Sequence, residues 1–271
     1  MVSKLCFVAI TLAAALAFAA APPQSTPPPS PSQPAAFLDG SRTGQAPAVQ
    51  PPKTTLVTPE MRGDIFMAKK MYREAAEAYK EGAQNSAVLL NKTGIAYHQM
   101  LDFGTAEKYY RLAVKANPHY AEAINNLGTI YYAHKSYRRA VNEYKKALRI
   151  NPESASMWSN LGTGYFARKD YPQASDCYQK ALSLDPEVFE SHSSHGVLLQ
   201  ERTVEERAKF HYYLAKTYAK AGMNERALLY IRKSIEEGFK ERKKYEQEPE
   251  FAPLKDLPEF KQLLAMEPRV L

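Results

Sequence analysis

The residues with nucleophilic, acid–base or metal-ligating potential are few and poorly grouped. His192 and His195 stand three apart, and His211 follows. Three imidazoles can begin a zinc site, but a closed site needs four ligands. The nearest carboxylate is Glu190, and the segment around it is rich in serine. Two cysteines, Cys6 and Cys177, exclude a disulfide scaffold and any multi-cysteine zinc or iron–sulfur centre. No nucleophile elbow, HExxH, P-loop or dinucleotide fingerprint is present. The 29 Asp and Glu are scattered among 36 Lys and Arg along helical patterns, as solvated faces are. The expectation is therefore no catalytic residue, no metal, no cofactor and no enzyme.

The periodic residues are of another kind. Gly94, Gly128 and Gly162 recur every 34 residues, and Gly63 stands 31 before the first. Each is followed at three residues by an aromatic: Phe66, Tyr97, Tyr131, Tyr165. Nine residues on stand Tyr72, Phe103, Tyr137 and Tyr171, and twelve on Ala75, Ala106, Ala140 and Ala174. Sixteen on stand Tyr79, Tyr110, Tyr144 and Tyr178. Pro118, Pro152 and Pro186 close the copies. Apolar positions three or four apart share one helix face. Small residues at matched places let two helices approach, and each proline ends a helix. The 18 tyrosines read as core rather than as a cofactor box, because a single repeat cannot bury its own faces.

These positions resemble the tetratricopeptide repeat, whose W-x2-L-G-x2-Y signature stands whole in Trp158, Leu161, Gly162 and Tyr165. The resemblance implies an all-α fold, a right-handed superhelical solenoid of helix–turn–helix hairpins with a concave groove. It places repeats at about 56–86, 87–120, 121–154 and 155–188, an insertion at 189–202 and a degenerate repeat at 203–241. In the last, Ala215 replaces the glycine, Tyr218 keeps the aromatic, and Thr203 with Glu206 forms a capping box that starts its first helix. Residues 242–271 hold two similar pieces, Pro249-Glu250-Phe251 and Pro258-Glu259-Phe260, read as two short capping helices over the solenoid's end.

In this family the first helix of each hairpin lines the groove. The positions three before, one after and four after the glycine share that face: Asn91, Ile95 and His98; Asn125, Thr129 and Tyr132; Ser159, Thr163 and Phe166. Two before the glycine stand Lys92, Asn126 and Asn160. The implied groove is uncharged at its centre, rich in amides and hydroxyls that suit a peptide backbone. It resembles the asparagine ladder of the repeat domain of O-linked N-acetylglucosamine transferase, with Asn126 and Asn160 as rungs and Lys92 as a departure. The alternative is that both asparagines are polar filler. The chaperone-binding carboxylate clamp is not matched, since its lysines are missing.

The flanks differ in composition. Lys4 and the apolar run Leu5–Ala21 read as a signal peptide, residues 1–19, cut after Ala17-Phe18-Ala19. The alternative is an uncleaved anchor in the inner membrane. Ten of 19 prolines lie within 22–58, so residues 20–58 read as a disordered Pro-rich linker. From Arg202 to Lys244 there are 12 basic and 6 acidic residues, a basic end suited to an acidic protein or an anionic envelope surface. The sequence thus points to an exported, periplasmic or secreted, non-catalytic scaffold that holds an extended peptide or protein segment in its groove. The alternative is a structural or assembly factor of the envelope acting through its basic C-terminal surface. Nucleic acid is not expected, because an exported protein rarely meets it. The oligomeric state is left open.

Overall fold

The computed structural model describes residues 57–190 and 203–266. The expected signal peptide, most of the expected linker, His192, His195 and most of the 189–202 insertion lie outside the described residues. Ten helices pair in order: α1 (Pro59–Ala68) with α2 (Tyr72–Gly82), α3 (Ala87–Gln99) with α4 (Phe103–Ala116), α5 (Ala121–Ala133) with α6 (Tyr137–Ile150), α7 (Ala155–Ala167) with α8 (Tyr171–Leu184), and α9 (Val204–Lys220) with α10 (Asn224–Glu236). Each hairpin packs on the next, and the first helices of successive hairpins, α3 with α5 and α5 with α7, lie side by side. No strand occurs among the described residues. The fold is a solenoid of helix hairpins.

The 34-residue period has a packing cause. A Cβ added to Gly128 would stand 2.6 Å from a ring carbon of Tyr144, and Gly94 and Gly162 face Tyr110 and Tyr178 at the same distance. Gly63 meets Tyr79 in the same way. The ring of the second helix therefore lies flat against the backbone of the first, which only glycine permits. These four rings are at most 2% exposed, and burying each contributes about 2–3 kcal/mol. The fifth hairpin solves the same problem with a matched exchange. Ala215 supplies a Cβ, and Ile231, 0% exposed, takes the place of the ring. None of the 18 tyrosines is exposed.

Every hairpin turns by one device. The carbonyls of Phe66, Tyr97, Tyr131, Tyr165 and Tyr218 accept from the amides five residues on, at 2.8–3.0 Å. The residue before each of those amides is left-handed: Lys70, Leu101, Lys135, Lys169 and Gly222, with φ between 57° and 74°. This is a Schellman closure, and four of the five use a residue other than the glycine it favours. Starts are capped by side chains: Thr58 on α1, Ser86 on α3, Asp102 on α4, Ser154 on α7 and a full capping box, Thr203 with Glu206, on α9.

The fifth hairpin docks on the fourth despite the intervening segment. Phe166 meets Phe210 at 5.5 Å, and Tyr171 stacks on Tyr213 at 4.9 Å. Beyond α10 come α11 (Lys243–Gln247), a 3-10 helix (Pro249–Leu254) and α12 (Pro258–Ala265). The sequence pattern predicts two short helices here: the piece at Pro249 is a 3-10 helix and the piece at Pro258 an α-helix. Pro253 inside the first lacks the N–H that an α-helix would use and crowds the carbonyl four residues back. Phe251, Leu254, Phe260 and Leu263 are each at most 2% exposed and close the core of the fifth hairpin.

Candidate interaction surface

The face made by α3, α5 and α7 carries the residues expected to line a groove, and the structure divides them. Asn126 Nδ2 donates to Asn91 Oδ1 at 2.9 Å, and Asn160 Nδ2 donates to Asn125 Oδ1 at 3.1 Å. Both bonds join one hairpin to the preceding one. All four amides are 1–6% exposed. Thr163, 5% exposed, bonds the Ser159 carbonyl at 2.9 Å and receives the Tyr178 hydroxyl at 3.4 Å. Phe166 is buried among Tyr171, Phe210 and Tyr213. The four asparagines and Phe166 join neighbouring hairpins, Thr163 bonds within its own hairpin, and all six present little to a ligand. The physical reason is the offset of adjacent first helices, which brings the position three before one glycine against the position two before the next.

Lys92 interrupts the amide series and has its own partners. Its Nζ lies 2.8 Å from Glu60 Oε1 and 2.8 Å from Asp64 Oδ1, both on α1. Asp64 also accepts from the Tyr79 hydroxyl at 2.7 Å, and burial together with that carboxylate pushes the phenol pKa far up. Half-buried on the same face are His98, Thr129, Tyr132 and Ser159. Thr129 receives the Tyr144 hydroxyl at 3.4 Å, and Tyr132 packs on Tyr137 with ring centres 5.3 Å apart. The His98 ring lies edge-on to Phe103 at 5.4 Å, and burial holds its imidazole below the usual value. What remains for a partner is a neutral strip of hydroxyl, imidazole and phenol groups.

Five cations of the basic C-terminal stretch, Arg207, Lys216, Arg226, Arg232 and Lys244, are held in ion pairs. Lys216 lies 2.7 Å from Glu248 and 3.4 Å from Glu250; Arg207 and His211 both meet Glu237. Arg226 pairs with Glu187 and Glu190, Arg232 with Glu259 at 3.0 Å, and Lys244 with Glu241 at 2.6 Å. Several of these carboxylates come from the tail, beyond the 202–244 window in which the charge is counted. His211 is thus tied to a carboxylate, and among the described residues no group of three metal-ligating side chains occurs. Cys177 is buried between hairpins, and burial pushes its thiol up to about 12. Among the described residues no helix is long and apolar enough to cross a membrane.

Three segments match models of the tetratricopeptide repeat: residues 89–120, 128–163 and 155–188. The chain is a tetratricopeptide repeat protein. The matches fall on α3 through α8, the hairpins whose glycines recur every 34 residues. Solved structures similar to this repeat protein include a crystal structure of MamA, 21% identical, covering 65% of this chain and 93% of that one at a TM-score of 0.45. A second MamA structure, also 21% identical, covers 70% and 93% at the same TM-score. MamA residues 41-end from Desulfovibrio magneticus RS-1 cover 64% and 89%, at 21% identity and again 0.45. No curated protein matches the chain significantly. As a tetratricopeptide repeat protein the chain is a protein-interaction scaffold.

Proposed function

We propose that this tetratricopeptide repeat protein is an exported, non-catalytic scaffold that binds an extended peptide or protein segment along its concave face. One observation carries the reading: α3, α5 and α7 lie side by side and carry the half-buried uncharged residues His98, Thr129, Tyr132 and Ser159. An extended segment offers unpaired backbone donors and acceptors at a spacing that such hydroxyls and rings can meet. The buried amide pairs beneath the strip keep adjacent hairpins in register, so the surface is preformed and little ordering is needed on binding. Export rests on the apolar run at Leu5–Ala21 and on the Pro-rich stretch after it, which would hold the solenoid away from the leader.

The test is position-specific photocrosslinking. A benzophenone side chain is placed at position 132 on the inner face and, separately, at position 142 on the outer face of α6. A partner captured from the first site and not the second, and lost in the full chain carrying Thr129→Ala, Tyr132→Ala and Ser159→Ala with unchanged circular dichroism, supports the groove. Equal capture from both sites, or capture that survives the triple substitution, rejects it. Fractionation of cells expressing the full chain tests export: a cytosolic, full-length product rejects that part.

A further inference from the structure

The outward faces of the second helices differ in charge, and the difference is local. Helices α4 and α6 together carry eight Lys and Arg against two Glu. All eight are exposed: Lys108, Arg111 and Lys115 on α4, and Arg138, Arg139, Lys145, Lys146 and Arg149 on α6. Both glutamates are already engaged, Glu107 by Arg111 at 2.7 Å and Glu143 by Lys146 at 2.7 Å. The flanking second helices are balanced or acidic: α2 has two cations and three carboxylates, and α8 has one of each. The two basic helices converge on Tyr131, whose hydroxyl receives Arg111 Nη2 at 2.7 Å while the Arg139 guanidinium covers its ring at 4.3 Å.

The band runs into a hollow. Lys135, Arg138, Arg139, Arg168 and Asp170 line a hollow of about 540 Å³ where the turn of the third hairpin meets that of the fourth. Arg168 pairs with Asp170 at 3.0 Å, which leaves three cations there without an ion pair among the described residues. Arg138 and Arg139 stand in the first turn of α6, at the positive end of its dipole, with no acidic residue in that turn. A second anionic group entering here is favoured by the side chains and by the helix alike.

We propose that this convex band is a docking surface for an acidic polypeptide segment, separate from the neutral inner strip. Arg138 and Arg149 are eleven residues apart, about 16 Å along a helix. An extended chain of about five residues spans that length, so five or six residues rich in Asp and Glu would match the row. The open hollow between the two turns can receive a carboxylate side chain, a shape that a planar array of lipid headgroups does not match. The surface also lacks a neighbouring apolar cluster for insertion into a bilayer: Leu112 and Ile150 are the exposed large apolar residues of these two helices, each 37% exposed.

The experiment measures binding of a fluorescein-labelled hexapeptide of Asp and Glu to the full chain by anisotropy, with the Asn/Gln counterpart as reference. Three proteins are compared: wild type, Arg138→Glu/Arg149→Glu, and Lys240→Glu/Lys243→Glu, which makes the same change in net charge on exposed residues of the C-terminal end. Matching melting temperatures establish that all three are folded. The expected result is binding of the acidic peptide by wild type, at least tenfold weaker in the α6 variant and within about twofold of wild type in the C-terminal variant, weakening as salt is raised. Equal loss in both variants would show a general polyelectrolyte effect and overturn the proposal. So would absence of binding at low salt, or α6-dependent sedimentation with phosphatidylglycerol vesicles but no peptide binding. The inner-face triple alanine variant binds the acidic peptide normally if the two surfaces are independent, so failure of the groove reading and failure of this one are separable.

Discussion

Replacing Gly128 by alanine tests the packing rule on which the period rests. The new Cβ would lie 2.6 and 2.7 Å from two ring carbons of Tyr144, a side chain 0% exposed and unable to swing away. Helix propensity alone would favour alanine by about 1 kcal/mol. Overpacking of a filled core costs about 1–3 kcal/mol, and two ring carbons in a closed site place this case at the upper end. The net expectation is a loss of about 1–2 kcal/mol, or about 2–8 °C in melting temperature for a body of this size. The fifth hairpin supplies the rescue, because Ala215 is there accommodated by Ile231. Tyr144→Ile alone should cost about 2–3 kcal/mol in lost burial. The double variant should then be more stable than the sum of the two losses by about 1 kcal/mol or more. Urea denaturation followed by far-UV circular dichroism measures all three. A Gly128→Ala protein as stable as wild type, or losses that add within about 0.5 kcal/mol, would refute the reasoning.

Three further outcomes follow from the same structure. Leu101 is left-handed at φ 62° and 69% exposed, so Leu101→Gly should raise stability by about 0.5–1 kcal/mol, read as a higher melting temperature. Asn126→Ala removes the donor to a buried acceptor, Asn91 Oδ1, and should cost about 1–3 kcal/mol in the same urea assay, more than an exposed Asn142→Ala. Burial holds the His98 imidazole below its usual value. The unfolded chain therefore takes the proton first as pH falls, and stability should decline below about pH 6.5 and hold above it. Melting curves across that range should show a shallower decline in His98→Gln.

Much of this architecture is legible in the residues themselves. Glycine opposite tyrosine, sixteen residues apart, states that one backbone and one ring touch, and no other residue pair at that spacing needs it. Thr203 with Glu206 states a helix start because both backbone donors there must find acceptors. The left-handed turns were harder to see: Lys70, Leu101, Lys135 and Lys169 occupy positions where glycine is the usual mark, and only the equivalent Gly222 shows it. The two short helices at Pro249 and Pro258 are legible from their shared Pro-Glu-Phe start, and the 3-10 form of the first turns on Pro253. The basic row on α6 is likewise legible as Arg138, Arg139, Lys145, Lys146 and Arg149 at helical spacing, beside the basic stretch at 202–244.

By itself the sequence determined the all-helical class, the repeat length and the pairs of residues that meet within a hairpin, because those depend on local periodicity and on steric fit between positions a fixed distance apart. Only the tertiary structure decided which polar groups face a partner. Asn91, Asn125, Asn126 and Asn160 lie on the inner helices with Thr129 and Tyr132, yet the offset between successive hairpins buries the amides against one another and leaves Thr129 and Tyr132 half-buried. The tertiary structure also decided which charges remain unpaired. Glu248, Glu250 and Glu259 fold back onto C-terminal cations, while among the described residues no carboxylate beyond Glu107 and Glu143 pairs with a cation of α4 or α6. Burial and charge pairing are set by contacts between segments far apart in the chain, and no local pattern encodes them.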